Sequence, residues 1–305
     1  MPYQVLVIGG SYFLGRIFSI FASRGEDMEL TLVNRGRYAM TNYPHITEHR
    51  TDRRDAEGLS RLPERDYDAA VDFCAYNPGD ISFLLDNLPG KVKRYILVST
   101  ADVYARGPED TADETFPLKT AGEAGSVGEY IYNKCLLEAE LQRECEARGI
   151  GATVLRPAFI YGPFNYAPRE SWYIRRVVLG EEIPVPTDAS ARWGMVFVKD
   201  AAEAILACIR NEKSVGQAYN LAAPEVLDYP AFMEALKGAS DRPFTTRPVT
   251  VAEALGENIP LPFPLEAGES ELFDGSKLTR DLGIEYTPFP EGMEKTFKSF
   301  RSVYE

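Results

Sequence analysis

Apolar residues in the first half of the chain fall into short continuous runs separated by stretches with helical spacing. "QVLVIGG" (4–10) is apolar without alternation and ends in glycine, which predicts a strand buried on both faces. "SYFLGRIFSIFASRG" (11–25) carries its apolar residues at helical spacing and stops at Gly25. "MELTLVNRG" (28–36), "DAAVDFCAY" (68–76), "RYILVST" (94–100) and "ATVLRPAFIYG" (152–162) read as further strands. "PGDISFLLDNL" (78–88) and "GEYIYNKCLLEAELQRECEARG" (128–149) read as helices. Such alternation predicts an α/β fold whose parallel sheet is covered on both faces.

Beyond Gly162 the texture changes. Prolines cluster at 163, 168, 184 and 186, and again between 258 and 264, around the α/β-like pieces "WGMVFVKDAAEAILACIR" and "QAYNLAA". The expected organisation is a sheet domain over 1–162, to which 192–223 return. Residues 163–191 and 224–290 form a smaller substrate lobe, and 291–305 a closing helix.

The composition, 45% hydrophobic and 26% charged over 305 residues, is that of a globular protein. A net charge of −13 argues against broad attachment to nucleic acid or anionic membrane, so neither is expected as a partner. No run approaches the ~20 apolar residues of a membrane helix, and the N-terminus reads as a strand and not as a signal peptide. Cys74, Cys135, Cys145 and Cys208 are scattered, as suits reduced thiols and a cytoplasmic location. With only His45 and His49 available, neither a histidine triad nor a metal site is expected.

The first candidate chemistry lies in "GGSYFLG". A glycine turn between strand and helix lets a backbone approach a pyrophosphate at the helix N-terminus. Gly9, Gly10, Ser11, Tyr12, Phe13, Leu14 and Gly15 are the candidates, with Tyr12 where a middle glycine would stand. Tyr12 is expected to flank a bound cofactor.

About 20 residues on, an acid would bind both ribose hydroxyls of NAD. Asn34 stands there instead, followed by Arg35 and Arg37, so the segment leans to NADP over NAD. Asp52, in "RTDRRD", either receives an adenine amino group or is an ordinary loop aspartate.

"EYIYNK" places Tyr130 and Lys134 four apart on one helix face. A cation there would lower the phenol pKa and suit Tyr130 to acid–base work at an alcohol or ketone oxygen. "YILVSTADVYA" ends a strand at Ser99 and Thr100, where ligands bind in open α/β sheets; strand capping is the simpler role for Thr100.

Together with "VDFCAY", "LRPAFIYGP", "VFVKDAAEAI", "YNLAA" and "DGSKLTRDLG", these pieces resemble the extended short-chain dehydrogenase/reductases, the NAD-dependent epimerase/dehydratase family. The resemblance implies a Rossmann-type doubly wound sheet with a smaller C-terminal substrate-binding lobe. It puts the catalytic set on Thr100, Tyr130 and Lys134, with Lys134 also holding the nicotinamide ribose. It adds Cys74, Ala75, Tyr76 and Pro157 to the cofactor site, and a homodimer through the helices at 78–88 and 128–149. The implied activity is hydride transfer to or from a carbinol or ketone carbon of a sugar-type small molecule, NAD or NADP being the cofactor.

Two departures bear on the reaction. The dehydratases of this family carry Thr-Asp-Glu where this chain has Thr100, Ala101 and Asp102, which disfavours dehydration. Epimerases of UDP-sugars place an asparagine where Phe159 stands, leaving Arg192, Arg175 and Arg176 as candidate phosphate partners. "GGSYFLG" with "NRGR" is also similar to a subgroup that includes chloroplast stem-loop-binding proteins. The alternative function is therefore an RNA-binding or regulatory protein on a dehydrogenase scaffold.

Overall fold

A computed structural model describes all 305 residues. Seven parallel strands make the main sheet: β1 (Tyr3–Ile8), β2 (Met28–Asn34), β3 (Ile46–Arg50), β4 (Ala69–Asp72), β5 (Arg94–Val98), β6 (Gly151–Pro157) and, later in the chain, β9 (Gln217–Leu221). Their order is β9-β6-β5-β4-β1-β2-β3. The reversal of strand order between β1 and β4 opens a crevice at the carboxyl ends of these strands.

The continuous apolar runs follow from double coverage. Val5 and Val7 face one side of the sheet and Leu6 and Ile8 the other, each buried in a separate core. On the first side lie α1 (Phe13–Ala22) and α5 (Val198–Arg210). On the second lie α2 (Asp80–Asn87) and α3 (Ser126–Arg148). The core under α1 and α5 runs on without interruption into the second lobe, through Trp193, Tyr229, Phe232 and Phe263.

The stretch 152–162, expected as one strand, is two strands in two sheets. Pro157 has no N–H to extend the ladder. The chain crosses at Ala158, whose amide donates to the Leu221 carbonyl at 3.0 Å, and restarts as β7 (Phe159–Tyr161). β7 pairs with β8 (Trp193–Phe197), which also pairs with β10 (Val226–Leu227). Of the returning segment 192–223, β8 thus belongs to this small sheet, while α5 and β9 lie against or within the main one. The lobe adds α4 (Glu170–Leu179), α6 (Tyr229–Ala239) and α7 (Ser276–Leu282). The closing helix α8 begins earlier than 291, spanning Phe289–Tyr304 with Pro290 in its first turn, where the missing N–H has no cost.

Candidate functional site

The glycine loop folds as a close-packed turn. Gly9 adopts φ +85°, and a Cβ there would lie 2.9 Å from Cys74 Sγ. At Gly15 a Cβ would lie 2.7 Å from the Gly9 carbonyl oxygen, so the start of α1 rests directly on the turn. Tyr12 is the N-cap residue of α1 and supplies no side-chain cap, and the first turn holds no acid. The amides there are free, and the helix dipole favours an anion. These features fit a dinucleotide pyrophosphate.

A cleft of about 840 Å³ opens above this loop at the crevice between β1 and β4. Of the residues expected at the cofactor or the chemistry, all but Gly10 and Ala75 line it. Gly10 lies beneath the loop against Val7, Ser19 and Leu32, and Ala75 contributes its carbonyl from behind.

Tyr130 and Lys134 project from α3 toward one region, with Lys134 Nζ 5.8 Å from the Tyr130 ring centre and 5.1 Å from that of Tyr76. Lys134 is buried, and its ammonium donates to the carbonyls of Ala75 and Val98, both at 2.8 Å. One of its three hydrogens stays free. Burial lowers its pKa to about 8 against the opposing pull of Asp72.

The expected lowering of the Tyr130 pKa is not found. Burial raises it, helped by Tyr76 and the negative charge of Asp102, and Lys134 is too far off to reverse this. In the free protein Tyr130 is a neutral phenol, and therefore a proton donor.

Thr100 Oγ1 donates to Asp102 Oδ2 at 2.8 Å and accepts from the Asp102 amide at 3.3 Å. Ser99, the other candidate hydroxyl, is turned inward and donates to Glu138 at 2.6 Å, beside the buried Arg156–Glu138 ion pair. Thr100 is thus the hydroxyl available to the cleft, and it caps the short turn that follows as well.

At the end of β2, Asn34 is engaged on both sides. Its Nδ2 donates to Glu48 Oε1 at 2.8 Å and its Oδ1 accepts from the Gly36 amide at 2.5 Å. Glu48, a buried carboxylate on β3, was not singled out from the sequence. Arg35 and Arg37 are exposed on the cleft wall and form no ion pair, while the Arg37 guanidinium lies over the Tyr38 ring at 5.5 Å. Asp52 also lines the cleft, its Oδ1 accepting from the Arg54 amide at 2.9 Å. Its neighbour Arg53 is buried and spans Asp72 (2.8 Å) and the Asp80 carbonyl (2.7 Å), bracing the floor.

In the lobe, Phe159 lines the cleft with the Arg169 guanidinium 4.3 Å above its ring. Arg169 is the arginine that the lobe brings to this wall. Arg175 pairs with Glu181, Arg176 lies over Trp172, and Arg192 is exposed elsewhere, so these three do not reach the cleft. Nothing in the sequence separates Arg169 from them; its placement comes from the turn into α4. No group of three or more His, Cys, Asp or Glu residues sits where it could hold a metal ion, and no helix is long and apolar enough to cross a membrane.

Residues 81–222 match the model of the NAD dependent epimerase/dehydratase family. They belong to that family. This epimerase/dehydratase segment runs from α2 to the end of β9 and includes Thr100, Tyr130 and Lys134. The chain is 26% identical over 254 residues to a chloroplast stem-loop binding protein of 41 kDa (b) of Arabidopsis thaliana, covering 79% of this chain and 64% of that protein. It therefore spans less than two thirds of that relative. It is also 26% identical over 255 residues to 2'-dehydrokanamycin reductase of Streptomyces kanamyceticus, covering 81% of this chain and 69% of the reductase. The UDP-glucose 4-epimerase of Thermus thermophilus, solved with NAD, superposes with a TM-score of 0.75 at 21% identity, over 98% of this chain and 99% of that one. The epimerase/dehydratase segment thus sits in a Rossmann-type fold shared along the whole chain.

Proposed function

We propose that the protein transfers a hydride between a nicotinamide dinucleotide and a carbinol or ketone carbon of a sugar-type substrate, with Tyr130 carrying the proton. The observation behind this reading is the convergence of Thr100, Tyr130 and Lys134 on the same cleft as the glycine loop. When bound, the nicotinamide supplies or takes the hydride. Tyr130, held as a phenol, gives its proton to a ketone oxygen, and Thr100, whose own proton is committed to Asp102, accepts a hydrogen bond from the alcohol that results. The free hydrogen of Lys134 is placed to hold a ribose hydroxyl. The sugar-type substrate rests on the reductase and epimerase relatives.

NADP is the preferred cofactor in this reading. Asn34 carries no charge to repel a 2′-phosphate, the nearby Glu48 is occupied by Asn34 and Arg50, and the unpaired Arg35 and Arg37 face the cleft.

The test is calorimetric titration of the purified protein with NADP⁺ and NAD⁺, followed by assay of Tyr130→Phe. Binding of a dinucleotide is expected, with turnover of a ketosugar lost by about 10²–10⁴-fold in the variant at nearly unchanged dinucleotide affinity. Full activity in Tyr130→Phe would refute the proton role. Failure to bind either dinucleotide, with binding to a stem-loop RNA, would instead favour the RNA-binding alternative that the Arabidopsis relative suggests.

A further inference from the structure

Tyr12 has a ring where a middle glycine would leave the approach to the helix amides open, and that ring has partners. It stacks on Tyr38 with centres 4.9 Å apart and planes within 2°, and on Tyr166 at 5.1 Å and 22°. Tyr166 also meets the edge of Phe13 at 5.9 Å. Two residues before Tyr166, Phe164 lies beneath the guanidinium of Arg16, 5.3 Å from ring centre to carbon. The three stacked rings come from the segment after β2, the start of α1 and the segment after β7. All three line the cleft.

The segment after β7 is anchored at its base and carries exposed rings at its tip. The buried carboxylate of Glu170 accepts from the Gly162 amide at 3.0 Å and from Asn165 Nδ2 at 2.9 Å, and Asn165 Oδ1 accepts from the Ala167 amide at 3.0 Å. Phe164 and Tyr166, by contrast, are 49% and 65% exposed. Phe13 (φ +39°) and Phe164 (φ +67°) hold left-handed backbone on either side of the contact, a conformation that aromatic residues rarely adopt and that collects at switch segments. An exposed ring held mainly by stacking is a weak closure on a rigid base.

We infer that residues 162–169 form a strap over the dinucleotide cleft, closed by Tyr166 stacking on Tyr12, and that opening of this stack sets the rate at which the dinucleotide enters and leaves. The inference rests on the dinucleotide reading above. Tyr12 is then a retaining residue, and the departure from glycine at that position is matched by Tyr166 and Tyr38.

The test is stopped-flow release of NADPH from the preloaded protein, chased with excess NADP⁺ and followed by nucleotide fluorescence. Tyr166→Ala should speed release about 3- to 10-fold, and Tyr166→Phe, which keeps the ring, should stay within about twofold of the wild type. In the wild type, hydrogen exchange of the amides at 163–169 should slow when NADPH saturates the site. Unchanged release in Tyr166→Ala, or unchanged exchange in the strap, overturns the strap and leaves the dinucleotide reading standing. A wild type that binds no NADPH or NADH overturns both.

Discussion

Thr100 Oγ1 donates its only proton to Asp102 Oδ2 across 2.8 Å. With one lone pair taken by the Asp102 amide, this hydroxyl offers its remaining lone pair toward the cleft, and Tyr130 is the one O–H donor of the pair. In the proposed reaction the two residues divide the work between them: a ketone would take a hydrogen bond from Tyr130, whereas an alcohol would give one to Thr100. Asp102 sets this polarity by holding the Thr100 proton.

Replacing Asp102 by alanine releases the Thr100 proton. Asp102→Ala should bind the ketone form of a substrate about 2- to 10-fold more tightly relative to the alcohol form, the worth of one net hydrogen bond. Inhibition constants of a matched ketone and alcohol would report it. An unchanged ratio would mean that Thr100 contacts neither.

Lys134 carries a stability cost that depends on pH. Its pKa in the fold is about 8, against 10.5 in an unfolded chain, so between these values the unfolded state binds more protons. Stability then rises with pH across this window, and below about 8 the penalty is present in full. Urea unfolding of the wild type and Lys134→Met should show a difference that shifts in favour of the wild type by about 1–3 kcal/mol between pH 7.5 and 10.5. A pH-independent difference would contradict the burial of a charged Lys134.

How much of this was legible beforehand depends on the range of the interaction. The apolar runs at β1, β2 and β5 declared a doubly covered parallel sheet because burial on both faces leaves a local pattern. Tyr130 and Lys134 were readable because helical spacing alone puts them on one face. The Asn34–Glu48 bond was not, since β3 reads "ITEHR" and its half-exposed edge position leaves no apolar signature. Tyr166 sits in a proline-rich stretch whose partners lie far away in sequence, and no local period marks it. The direction of the Tyr130 pKa failed for a related reason: spacing reveals a neighbouring cation but not the desolvation that outweighs it.

Arg35 and Arg37 are the free cations nearest the end of β2, while Glu48 is taken by Asn34. Arg35→Ala and Arg37→Ala should each weaken NADP⁺ binding by about tenfold and leave NAD⁺ within about twofold, since only the former carries the 2′-phosphate. Raising the salt concentration should narrow the wild-type preference, because both guanidinium groups are exposed to screening. Equal losses for the two dinucleotides would remove the basis for preferring NADP.

Gly15 separates the glycine turn from the body of α1 by a gap that a methyl group does not fit. A Cβ there would lie 2.7 Å from the Gly9 carbonyl oxygen and 2.9 Å from Gly10 Cα, and both neighbours are backbone that cannot swing aside. Gly15→Ala should therefore push α1 away from β1, at a cost of about 1–3 kcal/mol in unfolding free energy. The same displacement moves the free amides at Tyr12 and Phe13 out of register with a pyrophosphate, so dinucleotide affinity should fall about tenfold or more. Gly25→Ala, at the far end of the same loop–helix unit, comes within 3 Å only of a carboxylate oxygen of the exposed Asp27 side chain, which pairs with Arg210, and serves as the control. If both variants bind and unfold alike, the close contact at Gly15 does not shape the site.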